Sequence, residues 1–333
     1  MLTWNDLPNP RGFLFIGDPH VSSLAPGRRI DDYLSTVIGK LEHAAALCHQ
    51  YQLIPVSLGD LIHRDNESSI KLVNRLTKVL RKFPRPLIEL DGNHGKRQFQ
   101  ASEDDIEMLL ADLGLTRLIS ESGLIDSYEF DGVTVNLYGC PHSDALPKSL
   151  PEPGEAVNVL ISHHDLAFEG AYPGAKPVTE IMNCHMMVNG HMHKTMPSLQ
   201  LGSMVAHNPG NIEPLSLDVA DHRPAVWEWS PEQMDMQLVM HDLPHDPHCF
   251  DLTGTNVLPF EDTLAAVEQL KESSFAKLLE GESSMDAHRT NDASVLAEDL
   301  SAVCDTAGAT PAARQLLQSL LEKVIQETQD ASN

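Results

Sequence analysis

Apolar positions along the first two thirds of the chain fall into two alternating rhythms. Phe13-Leu14-Phe15-Ile16 is a continuous apolar run closed by Gly17, the pattern of a strand covered on both faces. From residue 30 to 51 the apolar side chains recur at helical spacing, at Leu34, Val37, Ile38, Leu41, Ala45 and Cys48. Residues 53–58 predict a second strand ended by Gly59. Residues 67–83 predict a second helix with Ile70, Val73, Leu76, Val79 and Leu80 on one face. A third strand, 86–90, runs into the turn Asp91-Gly92-Asn93. Ser102 with Asp105 three residues on resembles a capping box opening a third helix through Leu113.

Beyond that helix strands dominate: 124–130, 133–138, 157–161, 186–188, 198–205, 225–229 and 236–240. Asp131-Gly132 between the first two predicts a hairpin. The order βαβαβα followed by strands predicts an α/β fold, a two-sheet β-sandwich flanked by helices. The rhythm breaks near residue 261, where strand signals stop and acidic residues outnumber basic ones. Residues 281–294 read as a flexible acidic linker. Thr310-Pro311 opens a terminal helix with an apolar stripe at Leu317, Leu320, Leu321, Val324 and Ile325. These shifts place boundaries that give a main domain over 1–220, a small β-rich capping segment over 221–260 and an acidic helical tail over 261–333.

Composition narrows the function classes. Among 333 residues, 48 Asp+Glu against 23 Lys+Arg give a formal charge of −25, which argues against a broadly basic surface that coats nucleic acid. Five scattered cysteines without a CxxC pair argue against a disulfide framework or a thiolate zinc site. The first dozen residues lack a basic segment followed by an apolar one, and no apolar run spans a bilayer; the expectation is a cytoplasmic protein with no membrane partner. Seventeen histidines are the pointer toward chemistry.

Five turns share one design, an apolar strand running into Asp, Asn and His. They are Asp18-Pro19-His20, Gly59-Asp60-Leu61-Ile62-His63-Arg64, Gly92-Asn93-His94, Ser162-His163-His164 and Gly190-His191-Met192-His193. Ligand sites of α/β sheets assemble at the carboxyl ends of strands. Residues at i and i+2 in extended backbone face the same side, so Asp18 with His20, and His191 with His193, can each present two donors. Carboxylate, imidazole and amide oxygen without thiolate suit Mn, Fe or Zn, and the donors exceed what one ion needs.

In order and spacing these blocks resemble the calcineurin-like binuclear metallophosphoesterases, whose pattern is DxH, GDxx(H/D), GNH(D/E), a lone His after a strand, and GHxH. The resemblance implies two divalent metal ions, Mn first with Fe or Zn as alternatives. One would be held by Asp18, His20, Asp60 and His193, the other by Asp60, Asn93, His163 and His191. It further implies a metal-bound hydroxide as nucleophile and His94 as the catalytic acid that protonates the leaving oxygen. Two departures matter. The residue after His94 is Gly95 where the family has an acid, so something else must orient His94. His163 and His164 are adjacent; either could ligate, and family register favours His163. Arg64 is a candidate to fork onto a substrate phosphate. Lys96 and Arg97 could add positive charge at the mouth, and His142 reads as a surface or core histidine.

Within the family the Gly-Asp-Leu-x-His block, the Pro209-Gly210 turn after GHMH and the strands beyond it look most like SbcD-type DNA-repair nucleases. That similarity implies a DNA exo- or endonuclease, with an SMC-like ATPase as partner docked through the C-terminal helix. A homodimer is also compatible. The alternative is a phosphatase or phosphodiesterase acting on nucleotides or phosphoproteins. A non-catalytic scaffold is disfavoured because every ligand position is filled.

Overall fold

Leu14 and Ile16 pack to one side of the first strand and Phe13 and Phe15 to the other, and all four are fully buried. That alternation fixes the layering. The computed structural model describes residues 9–97, 101–168, 175–220, 222–232 and 236–253. The chain divides into two units, Met1–Thr263 and Leu264–Asn333. The acidic tail over 261–333, with its expected linker and terminal helix, lies outside the described residues.

The first unit opens with β1 (Gly12–Ile16), α1 (Tyr33–Tyr51), β2 (Leu53–Ser57), α2 (Ile70–Leu80), β3 (Leu87–Leu90), α3 (Ile106–Asp112) and β4 (Thr116–Ile119). It continues with β5 (Gly123–Phe130), β6 (Val133–Cys140), β7 (Val157–Ser162), β8 (Leu166–Ala167), β9 (Lys176–Pro177), β10 (Met186–Asn189), β11 (Met196–Leu201) and β12 (Met204–Asn208). Last come β13 (Ala225–Trp229) and β14 (Val239–Asp242). Two six-stranded sheets result, ordered β14-β13-β1-β2-β3-β4 and β11-β12-β10-β7-β6-β5. β1 to β4 run parallel, as do β6, β7, β10 and β12.

Phe13, Phe15, Val56, Ile88 and Trp229 of the first sheet form one cluster with Val135, Leu137, Val159, Ile161 and Val188 of the second. This is the core between the sheets. The far face of the first sheet is covered by α1, α2 and α3 through residues such as Val37, Leu41, Leu72, Leu76 and Leu110. The architecture is therefore mixed α/β with two stacked sheets, as the alternating pattern predicts.

Differences from the expectation have local causes. α1 begins at Tyr33 instead of residue 30 because the Asp32 carboxylate caps it, accepting from Ser35 N. α2 starts at Ile70, capped by Ser69, and buries Leu72, Leu76, Val79 and Leu80. Ile70, expected on that face, is exposed. Asp105 is itself the N-cap of α3; its carboxylate turns back to Ser102 N and Oγ, so no capping box forms. Residues 198–205, read as one strand, are a hairpin of β11 and β12 bent at Gly202, where φ is +58°. The segment 221–260, read as a cap, contributes β13 and β14 to the edge of the first sheet, with Phe13 opposite Trp229. The aromatic stack of those two rings, centroids 6.3 Å apart, favours that register. All four described cysteines are buried and unpaired.

Candidate metal centre

Because β1, β2 and β3 are parallel, their carboxyl ends deliver Asp18 and His20, Asp60 and His63, and Asn93 and His94 to one edge of the first sheet. β7 and β10, also parallel, bring His163, His191 and His193 from the second sheet. Asp60 lies at the centre. Its Oδ1 accepts from the backbone N–H of Asn93 and of His94, each at 2.8 Å. A Cβ on Gly92 would stand 2.0 Å from that oxygen, so only glycine admits this approach. Asp60 Oδ2 is 3.2 Å from His163 Nε2 and 3.7 Å from His20 Nε2. Asp18 Oδ2 accepts from His191 N at 2.9 Å and lies 3.8 Å from His193 Nε2. Asn93 Oδ1 meets His163 Nε2 at 3.0 Å and His191 Nδ1 at 2.9 Å.

Two donor sets follow from the coordinates, Asp18 with His20 and His193, and Asp60 with His163 and His191. All seven residues expected to hold metal are thus brought together, Asp60 reaching both His20 and His163, and Asn93 touching His163 and His191 of the second set. His163 donates from Nδ1 to the Leu58 carbonyl at 2.8 Å, which turns Nε2 toward Asp60. His164 points elsewhere, its Nε2 on the Asp144 carbonyl at 2.8 Å. Of the two adjacent rings, His163 is the one that turns a nitrogen toward Asp60 and Asn93.

The donors fit a pair of divalent cations. Asp18 Oδ1 and Asp60 Oδ2 are buried and accept no hydrogen bond from the protein, a costly arrangement unless a cation faces them. His20 Nε2 and His193 Nε2 oppose one another at 3.0 Å, and both cannot donate along that line. Burial pushes Asp18 up to about 6. Burial also drives His191 and His193 down to about 4 and His20 well below the ordinary imidazole value. Burial opposes charge on His163 too, but the Asp60 and Asp18 carboxylates outweigh it and hold its pKa near 9. His20, His191 and His193 are thus neutral, the state in which nitrogen lone pairs can ligate, whereas His163 would have to give up a proton to an arriving cation. His20, Asp60 and His191 all have positive φ, at 46°, 50° and 71°. Such strain in non-glycine residues clusters at functional sites.

His94 stacks on His63 with centroids 5.5 Å apart and planes 10° off parallel. Its Nδ1 faces the His63 carbonyl at 3.1 Å. That carbonyl fixes the direction of the His94 ring, with Gly95 carrying no side chain to do so. Arg64 lines a pocket of 350 Å³ with His63, Asn66, Asn93 and His94. Lys96 lines the same pocket, as expected, but is nearly buried and its charge is paired with Asp91 at 2.8 Å. His142 is not a bystander: its ring lies 5.5 Å from His191, and its Nδ1 faces the His163 carbonyl at 3.2 Å. The signal for it was its place directly after a strand, in Cys140-Pro141-His142.

No family model matches the chain, and no curated protein matches it. Among solved structures it is similar to the NAD nucleotidase of Haemophilus influenzae, at 14% identity over 86% of this chain and 70% of that one, with a TM-score of 0.39. It is similar also to the sulfate thiohydrolase of Thermus thermophilus in complex with glycerol, at 12% identity over 81% of this chain, TM-score 0.33. A third is the 5'-nucleotidase precursor of Thermus thermophilus, at 11% identity over 80% of this chain, TM-score 0.36. The chain spans 59% of the length of each of the latter two. Superpositions at these scores carry no argument about activity; the residues at the sheet edge carry it.

Proposed function

We propose that the chain is a metal-dependent phosphoester hydrolase of the calcineurin-like type, acting on small phosphoesters of the nucleotide class. The observation that carries this reading is the convergence of two carboxylate–imidazole sets on Asp60, with buried carboxylate oxygens that the protein leaves without hydrogen bonds. Asp18, His20, Asp60 and His193 would hold one divalent cation and Asp60, Asn93, His163 and His191 the other, manganese being the first choice. When bound, such a pair polarises the phosphoryl oxygens and lowers the pKa of water toward neutrality.

The chain's own groups do the rest. The Arg64 guanidinium has no hydrogen bond or ion pair among the described residues, and from the pocket wall it can fork onto a phosphate oxygen. His94 donates Nδ1–H to the His63 carbonyl, so its Nε2 is the nitrogen that holds a proton for the departing oxygen. A polar pocket of 350 Å³ suits a small phosphoester, and the charge of −25 disfavours a long duplex.

Metal analysis of the purified protein, followed by Mn-dependent hydrolysis of bis-p-nitrophenyl phosphate, tests the chemistry. Asp60→Ala should lose both metal and turnover. His94→Ala should keep metal while turnover falls about 100- to 10,000-fold. Wild-type turnover by His94→Ala would refute its role as the acid. A panel of nucleoside monophosphates, cyclic nucleotides and linear duplex DNA then separates substrates. Preference for the duplex would return the nuclease reading and its SMC-like ATPase partner.

A further inference from the structure

A third group of imidazoles, His20, His63 and His94, stands beside the two donor sets. His20 uses its two nitrogens in different directions. Nε2 faces His193 Nε2 at 3.0 Å and Asp60 Oδ2 at 3.7 Å, while Nδ1 lies 3.2 Å from His63 Nδ1. An imidazole that offers its Nε2 lone pair to a cation carries its proton on Nδ1. The acceptor that this proton meets is His63 Nδ1, so His63 must carry its own proton on Nε2. The rings cross edge to face at 80° with centroids 5.2 Å apart, which keeps the nitrogens in line without stacking the rings.

We infer that the His63 side chain is a positioning residue for the cation site built by Asp18, His20 and His193: it accepts the His20 Nδ1–H and so fixes the ring angle at which Nε2 meets the ion. The inference rests on the binuclear reading above. Such outer partners set both the tautomer and the direction of a ligating histidine. His63 then serves the site twice, its carbonyl orienting His94 and its ring orienting His20. Sequence cannot show this, because it separates His20 from His63 by a helix and a strand. A third cation among the three rings is the competing arrangement. It would strip His20 of protons at both nitrogens, and His94 Nδ1 already faces the His63 carbonyl.

The test is calorimetric titration of Mn into the chelator-stripped full chain, without substrate. Wild type should take up two equivalents. His63→Leu should weaken one site about 10- to 100-fold and leave the other unchanged. His63→Asn, whose Oδ1 can stand where Nδ1 stands, should restore the weak site. Uptake by His63→Leu equal to wild type, or an Asn variant as impaired as the Leu variant, would overturn the inference while the binuclear reading stood. A third equivalent in wild type that His63→Leu removes would overturn it in favour of the third cation. Wild type that binds no metal would sink the underlying reading itself. Nitrogen-15 NMR of zinc-loaded wild type needs no variant: protons should sit on His20 Nδ1 and His63 Nε2, and the reverse assignment refutes the proposal.

Discussion

At the scale of single residues, the donors were legible and their supports were not. Asp18, His20, Asp60, Asn93 and the histidines carry their chemistry in their identity and sit in short motifs directly after strands, so one chain suffices to find them. What orients them comes from contacts between distant residues: Leu58 O for His163, His63 for His20 and His94, and the Tyr33 hydroxyl for the His20 carbonyl at 2.9 Å. Gly95 shows the limit well, since it first reads as a missing acid. Its φ is +75°, and a Cβ there would stand 2.4 Å from Glu107 Oε1 and 2.9 Å from Ile62 Cβ. The space an acid would need is already filled by a buried one. Gly95→Asp, which places an acid directly after His94, should therefore destabilise the fold by roughly 1–3 kcal/mol and lower turnover. Urea denaturation and steady-state rates check this; a variant as stable as wild type and faster would mean that the His63 carbonyl is a poor substitute.

At the scale of elements, hydrophobic rhythm revealed β1 to β3, β6, β7, β10 and both long helices, because a strand covered on two faces and a helix covered on one leave distinct periods. It missed β4, a four-residue edge strand with one buried position, and merged β11 with β12, where the turn is only two residues long. Nor does rhythm reveal how elements are tied together. Glu213 is fully buried and pairs with Arg29 from the loop before α1 and with Lys40 from within α1. Lys40 also donates to Ile212 O at 2.9 Å, and the neighbouring Asn211 N donates to His193 O. The helix is thereby clamped to the segment that supports a ligand loop. Glu213→Gln leaves the buried Lys40 ammonium without a counter-charge and Arg29 with Asp31 alone, and should cost about 3–5 kcal/mol. It should also weaken metal binding through the His193 loop. A loss under about 1 kcal/mol in urea, with metal uptake unchanged, would show the clamp to be dispensable.

For the whole molecule, the charge of −25 conceals acids that the fold holds in neutral form. Glu89, on β3, is fully buried, and burial, with the nearby Asp91 charge adding to it, lifts its pKa to about 8 against a Thr116 hydroxyl that favours the carboxylate. Burial lifts Glu107 on α3 in the same direction, reinforced by Glu89 and Asp91. Lys96, the cation of this group, is taken by Asp91. The unfolded chain gives up the Glu89 proton near 4.5, whereas the folded chain keeps it to about 8. Between those values the folded state binds more protons, so stability falls as pH rises through the window and the loss is complete above it. Thermal midpoints of wild type should accordingly decline from pH 5 to pH 8 by more than those of Glu89→Gln, which has no proton to lose. The two curves should diverge steadily and run parallel beyond about pH 8. Because the site histidines and Asp18 titrate alike in both proteins, their contribution cancels in the difference. Parallel curves across the whole window would show that Glu89 ionises in place, and that a water or cation reaches the interior of this sheet.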